Sequence, residues 1–318
     1  RDLVRSRGLG DVYKRQSEVT HSIFYAPLYI AMSNGYFADE GLEIELVNAN
    51  GSNNVMTAIV SGSATIGLAG PETAVYTAQQ SEGSSPKVFG QLTACDGSFL
   101  VGREADVDFS IEDLRGKTII AGRRGGMPAM TLEYALAQQG LIAGRDYTLN
   151  LDYDFGMVAT VFESGIGDYC TMFEPVASEY EASGHGAIVA SIGEMGGYVP
   201  YTGFIATEEY LDENALQAEC FLRAVYRGYL YLMNAPINDV ANALSKQFAD
   251  SSIEGIKAAI ENYKQLDAFA SSPVMTQDGY ERLCAIITAA GQLEGTVDFN
   301  KVIDNTIAEK VVKYFQYA

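Results

Sequence analysis

The stretch "SGSATIGLAGPETAVYT", Ser61–Thr77, decides the architecture. Its apolar run, Ala64–Leu68, predicts a strand, and the strand breaks at Gly70-Pro71-Glu72-Thr73 before a helical pattern begins. Glycine lets the backbone approach closely there, proline pre-sets a first helical turn, and Glu72 and Thr73 bring an acceptor and a hydroxyl to the mouth. A helix that starts at a strand end aims its unpaired N–H groups, and the positive end of its dipole, into the adjoining crevice. Small polar solutes bind in such crevices.

Upstream, Ser22–Phe24 reads as a strand, and Pro27 opens a helix through "LYIAMSNGYF" that stops at Asn34-Gly35. "LEIELV" alternates as a strand, and Asn53 begins a helix carrying Val55, Met56, Ile59 and Val60 that Gly62 closes. Downstream, Ser110 caps "IEDLRG" with Asp113 in the capping-box position. The strand "KTIIAG", the turn "RRGGMP" and the helix "AMTLEYALAQQG" follow, and "GDYCTMFEP" is a further strand-to-helix junction. From Glu209 the chain is mostly helical. Strand-helix alternation requires parallel strands joined by right-handed crossovers, hence an α/β fold. The layout predicts two lobes with a cleft between them: residues 17–102 and 204–318 form lobe I, and 103–203 form an inserted lobe II. The chain crosses between them near Gln91–Arg103 and Gly197–Ala206.

A chain of 318 residues with 47% hydrophobic side chains supports two cores. Its 41 acidic and 21 basic residues give a net charge of -20, which argues against nucleic acid and anionic lipid as partners. Cys95, Cys170, Cys220 and Cys284 form no CxxC pair, and with only His21 and His185 besides, no metal site is expected. The scatter fits two disulfides or, preferably, free thiols. Arg1–Gln16, "RDLVRSRGLGDVYKRQ", is charged throughout and lacks a signal peptide's apolar core. It resembles a translated sequencing-adapter run and is set aside as a non-native tail, with any native leader missing.

Three turns are candidates for holding a solute: "GSNN" with Ser52 and Asn53, "GPET", and "GRRGGM" in lobe II. The last lacks both nucleotide-binding spacings, so no cofactor is expected. Of Arg123 and Arg124, at most one is expected to face a ligand. Glu174 reads either as a first-turn acid of its helix or as a cleft acceptor. Tyr25, Tyr29, Tyr198 and Tyr201 stand near the lobe junctions. There is no GxSxG elbow and no base beside a nucleophile, so no catalytic residues are assigned.

"FYAPLYIAMSNGYFADEGLEIELV", "AIVSGSATIGLAGPET", "DLRGKTIIAGRRGGM" and "GDYCTMFEP" together resemble the nitrate/sulfonate/taurine/pyrimidine branch of extracytoplasmic solute-binding proteins serving ABC importers. The resemblance implies a type II periplasmic-binding fold that closes on a small molecule and presents it to a membrane permease. The receptor would be monomeric, in the periplasm or on the cell surface as a lipoprotein. It further implies a cleft lined by Tyr25 and Pro27, Ser52 and Asn53, Gly70, Glu72 and Thr73, Asp96 and Ser98, Arg123, Gly126 and Met127, Glu174 and Tyr201. Phe24-Tyr25 stands where pyrimidine binders of the branch tend to carry Asn-His. The cysteine-rich motif of the enzyme relatives that make the pyrimidine is absent. The expected solute is an aminated heteroaromatic, such as a thiamine-precursor pyrimidine, or a sulfonate-like anion. An enzyme on the same fold, of the pyrimidine-synthase or menaquinone-pathway kind, is the alternative.

Overall fold

A computed structural model describes residues 12–105 and 108–317. The ten strands are β1 Val12–Glu18, β2 Leu42–Asn48, β3 Ile66–Ala69, β4 Lys87–Thr93, β5 Phe99–Gly102, β6 Thr118–Ile120, β7 Thr148–Asn150, β8 Tyr169–Met172, β9 Ala187–Ser191 and β10 Thr202–Ala206. They form two five-stranded sheets, ordered β2-β1-β3-β10-β4 and β7-β6-β8-β5-β9. In each sheet the fourth strand alone runs antiparallel to its neighbours. That strand is always the one the chain forms on arriving from the other lobe, β5 in the second sheet and β10 in the first. The two lobes thus repeat one topology, with helices supplying the crossovers.

Three expectations change. Residues 12–16, set aside as a tail, belong to β1, which pairs in parallel with β2 along its full length and with β3 at its C-terminal end. A backbone ladder asks for an extended segment at that place, and the charged sequence supplies one. Arg1–Asp11 lie outside the described residues. Ser22–Phe24 is not a strand: Ser22 accepts a hydrogen bond from the Phe24 N–H and caps a short 3-10 turn, Ile23–Tyr25, because the strand has already ended at Glu18. Finally, Phe99–Gly102, which a boundary at 102 gives to lobe I, hydrogen-bonds to β8 and β9 in the second sheet.

The crossings run through residues 94–98 and 197–201 and are zipped together. Val199 N–H donates to the Ala94 carbonyl at 2.9 Å, Ile192 N–H to Ser98 at 3.1 Å, and the Thr93 and Thr202 hydroxyls share a hydrogen bond. Of the helices after Glu208, Ala215–Asn234 and Thr306–Tyr317 pack on the first sheet, while Ile253–Gln265 and Gln277–Ala289 reach helices of the second lobe. The tightest junction sets Gly228, in the helix Ala215–Asn234, against the Pro27 carbonyl, where a Cβ would come within 2.0 Å of the oxygen. All four cysteines are free thiols.

Candidate functional site

Because both sheets share one topology, the turn after the first strand of one lobe meets the turn after the third strand of the other. The β1 turn meets the β8 turn: Ile23 N–H and Ser22 Oγ both donate to the Glu174 carbonyl, at 3.1 and 2.6 Å. The β3 turn, "GPET", meets the β6 turn, "GRRGGM": Tyr76 Oη donates to the Gly125 carbonyl at 2.8 Å, and Arg123 Nη2 lies 3.6 Å from Glu72 Oε1. The two meetings differ in kind, since the first is saturated with hydrogen bonds and the second is not.

At the β3 turn, the Gly70 N–H donates to Ser52 Oγ and Thr73 Oγ1 donates to the Gly70 carbonyl, fixing the turn. The Glu72 carboxylate folds back over Gly70, where a Cβ would stand 2.0 Å from Oε2, so only glycine leaves the carboxylate room. Glu72 is 0% exposed, and neither of its oxygens has a hydrogen-bond partner. Burial pushes its pKa up to about 7, opposed by the Arg123 charge and by nearby backbone N–H groups of Glu72, Thr73 and Met127. Arg123 Nη2 is likewise buried without a hydrogen bond. An ion pair at 3.6 Å whose facing atoms, the Glu72 oxygens and Arg123 Nη2, lack hydrogen bonds has room to accept a guest's polar atoms.

Asp96 occupies the first crossing. Its Oδ1 accepts from the Ser98 N–H at 2.7 Å and Ser98 Oγ at 2.5 Å, and its Oδ2 accepts from Thr131 Oγ1. Burial still raises its pKa to about 6 against those hydrogen bonds. Tyr25 and Tyr201 are buried close by, and after burial itself, neighbouring carboxylates hold both phenols well above their ordinary range. For Tyr25 these are Glu18, Glu72 and Asp96, and for Tyr201 Asp96 comes first. Tyr201 Oη has no partner in hydrogen-bond geometry. Rings wall this region: Phe24 lies 4.9 Å from Phe173 and 5.7 Å from Tyr201, and Phe155 lies 4.5 Å from Phe173. A cavity of about 60 Å³ opens between the lobes at the β1–β8 meeting, lined by His21, Ser22, Phe155, Thr171 and Phe173 among others and by neither Glu72 nor Arg123.

The structure therefore brings together Tyr25, Gly70, Glu72, Thr73, Asp96, Ser98, Arg123, Gly126, Met127 and Tyr201, with Ser52 bracing the turn. Arg124 is exposed, so one arginine of the pair faces inward. Three candidates stand apart. Asn53 is exposed, with its carbonyl taken by Thr57 Oγ1. Pro27 turns its carbonyl toward Gly228. The Glu174 carboxylate is spent on Ser178 N–H, Ser178 Oγ and Asn262 Nδ2: it stands one residue before the Pro175 cap, not in the first turn, and reaches forward to an N–H of the helix Val176–Ala182. Sequence reasoning missed Thr131, Thr171 and Glu18. Thr171 is fully buried with an unpaired hydroxyl. Glu18 accepts from Tyr29 Oη at 2.6 Å and holds His21 Nδ1 at 3.0 Å.

A protein-family model described as NMT1/THI5 like matches residues 23–238. The chain is 39% identical to YtlA of Bacillus subtilis (strain 168) over 295 residues, covering 93% of this chain and 88% of that one. Among solved structures, a Bordetella bronchiseptica RB50 protein superposes with a TM-score of 0.76 at 22% identity, over 96% of this chain and 98% of that one. The alkanesulfonate-binding protein SsuA from Xanthomonas axonopodis pv. citri, bound to MOPS, gives 0.74 at 14% identity, over 92% and 98%.

Proposed function

Because the chain belongs to the NMT1/THI5-like family and has the type II periplasmic-binding-protein fold, we propose that it is the solute-binding receptor of an ABC importer. It captures a small polar organic solute between its lobes by hinge closure, without covalent chemistry, and hands it to a membrane permease. In this reading the receptor is a monomer working outside the cytoplasm, in the periplasm or as a surface lipoprotein. The name of the B. subtilis relative, which describes a binding protein, supports the reading. Among the described residues no helix is long and apolar enough to cross a membrane.

The observation that carries the ligand class is the pair of unsatisfied groups across the lobes. Glu72 offers two buried acceptor oxygens, and Arg123 Nη2 offers a donor 3.6 Å away. A guest that satisfies both presents an N–H donor beside an acceptor on one edge, as an amino group next to a ring nitrogen does, while the aromatic walls take its faces. A sulfonate offers acceptors only, and would meet Glu72 and Asp96 as like charges in a buried site. The aminated heteroaromatic is thus favoured over the sulfonate-like anion. Calorimetry with aminopyrimidines and alkanesulfonates tests this. We expect the aminopyrimidine class to bind and Glu72→Gln to weaken it by about 1–3 kcal/mol. Binding of sulfonates alone would overturn the ligand class, and turnover of the bound compound would overturn the receptor reading.

A further inference from the structure

A second cavity, of about 360 Å³, lies outside the meeting turns. Tyr198, Tyr229, Met233 and Phe269 form its apolar walls, and Lys264 and Asp267 supply opposite charges on its lining. Tyr198 and Met233 are 49% and 41% exposed, so the apolar walls are open to a guest from solvent. The tyrosine walls are braced. Tyr229 stacks on Tyr226 at 5.6 Å, and Tyr226 Oη donates to the Ser271 carbonyl at 3.3 Å. The Tyr198 hydroxyl abuts Gly279, where a Cβ would come within 2.8 Å of it.

Among the described residues neither charged group forms a salt bridge. Asp267 has φ 49°, and among the described residues only Asn50 is another non-glycine with positive φ. Asn50 sits at the lobe interface, within 3.3 Å of a Cβ built on Gly156. For Asp267 the left-handed backbone is the cap that ends the helix Ile253–Gln265: its N–H donates to the Lys264 carbonyl at 3.1 Å and the Ala268 N–H to the Tyr263 carbonyl at 2.9 Å. Asp267 lines the cavity, and its charge adds to burial and Tyr226 in raising the Tyr229 phenol pKa. Burial lowers the pKa of Lys264, opposed by the Glu261 charge.

We propose that this cavity is a second binding site, for a zwitterionic amino acid with an apolar or aromatic side chain. The guest's carboxylate meets Lys264, its ammonium meets Asp267, and its side chain lies against Tyr198, Tyr229, Met233 and Phe269. The volume falls within the range of small-molecule sites. Cation–π attraction from the rings adds to the carboxylate's hold on the ammonium. Since Tyr198 belongs to the return crossing, a guest here touches the hinge.

Calorimetry on the full chain with L-phenylalanine and L-methionine tests the site. L-phenylalaninamide, which lacks the carboxylate, and 3-phenylpropionate, which lacks the ammonium, are the comparison ligands. We expect L-phenylalanine to bind and each comparison ligand to bind about tenfold more weakly. Asp267→Asn, which keeps a residue tolerant of the left-handed backbone, should weaken L-phenylalanine about tenfold, and Lys264→Met should do the same from the other end. No heat with either amino acid at millimolar concentration would overturn the proposal, as would equal binding of the charge-deleted compounds. Binding that survives Asp267→Asn but disappears in Glu72→Gln would place the amino acid between the lobes and overturn it equally.

Discussion

Replacing Glu72 with glutamine should make the protein less sensitive to alkaline pH, with a magnitude that follows from the site. The carboxylate is fully buried, its oxygens lack hydrogen bonds, and its pKa rises from 4.5 to about 7. Below about pH 4.5 the group is protonated in folded and unfolded chains alike and costs nothing. Between about 4.5 and 7 the unfolded chain releases a proton that the folded chain keeps, so stability falls as pH rises, by about 1.4 kcal/mol per pH unit. The total loss is about 3 kcal/mol and is complete above pH 7. Glutamine does not titrate, so the variant should gain about 3 kcal/mol on wild type between pH 4.5 and pH 8, whatever its offset from packing. Urea unfolding of both proteins at pH 4.5, 6 and 8 measures this, and Asp96, present in both, cancels in the difference. A difference that stays constant within about 0.5 kcal/mol across the series would refute the claim that Glu72 is held unsatisfied.

Asp96→Asn keeps both Ser98 hydrogen bonds through Oδ1 and loses only the acceptor facing Thr131 Oγ1. Because burial raises the Asp96 pKa from 3.8 to about 6, the variant should gain about 3 kcal/mol on wild type in urea unfolding between pH 3.8 and pH 8. A difference between the two proteins that does not change with pH would contradict this. His21 is held by acceptors at both ring nitrogens, the Glu18 carboxylate at 3.0 Å and the Gln247 carbonyl at 2.8 Å. Burial opposes the charge, but the hydrogen bonds to Glu18 and Gln247 and the Glu18 charge outweigh it, raising the pKa above 6.5. The stability His21 lends is therefore complete below pH 6.5 and lost as pH rises through the folded value. With only two histidines in the chain, an NMR titration resolves both, and a His21 midpoint at or below 6.5 would contradict the assignment. Gly228→Ala drives a methyl into the Pro27 carbonyl and should lower stability by about 1–3 kcal/mol or more, read as a drop in the thermal midpoint. A midpoint equal to wild type would mean the helices separate without cost.

The sequence carried the local grammar of this fold better than its edges. "GPET" and "GRRGGM" could be placed at strand ends because glycine, proline and first-turn residues obey local rules, and they do face each other across the lobes. What local rules cannot supply is the partner. Glu72 and Glu174 look alike in sequence, each a glutamate beside a proline at a strand-to-helix junction. They diverge because Ser178 and Asn262 hydrogen-bond to one, while the other faces an arginine at 3.6 Å and has no side-chain hydrogen bond. Asn262 lies 88 residues from Glu174, and no periodicity announces that contact. Thr131 is equally invisible: within its helix it reads as an ordinary threonine, and it matters because the crossing strand brings Asp96 to its hydroxyl. The β1 strand was missed for the opposite reason. Charge hid a segment whose role is carried by its backbone, since a ladder tolerates side chains that a hydropathy pattern rejects. Composition and turns thus locate where two lobes present polar atoms. Which of those atoms remain free for a guest depends on long-range pairing, and that is where the distinction between a helix cap and a binding group lies.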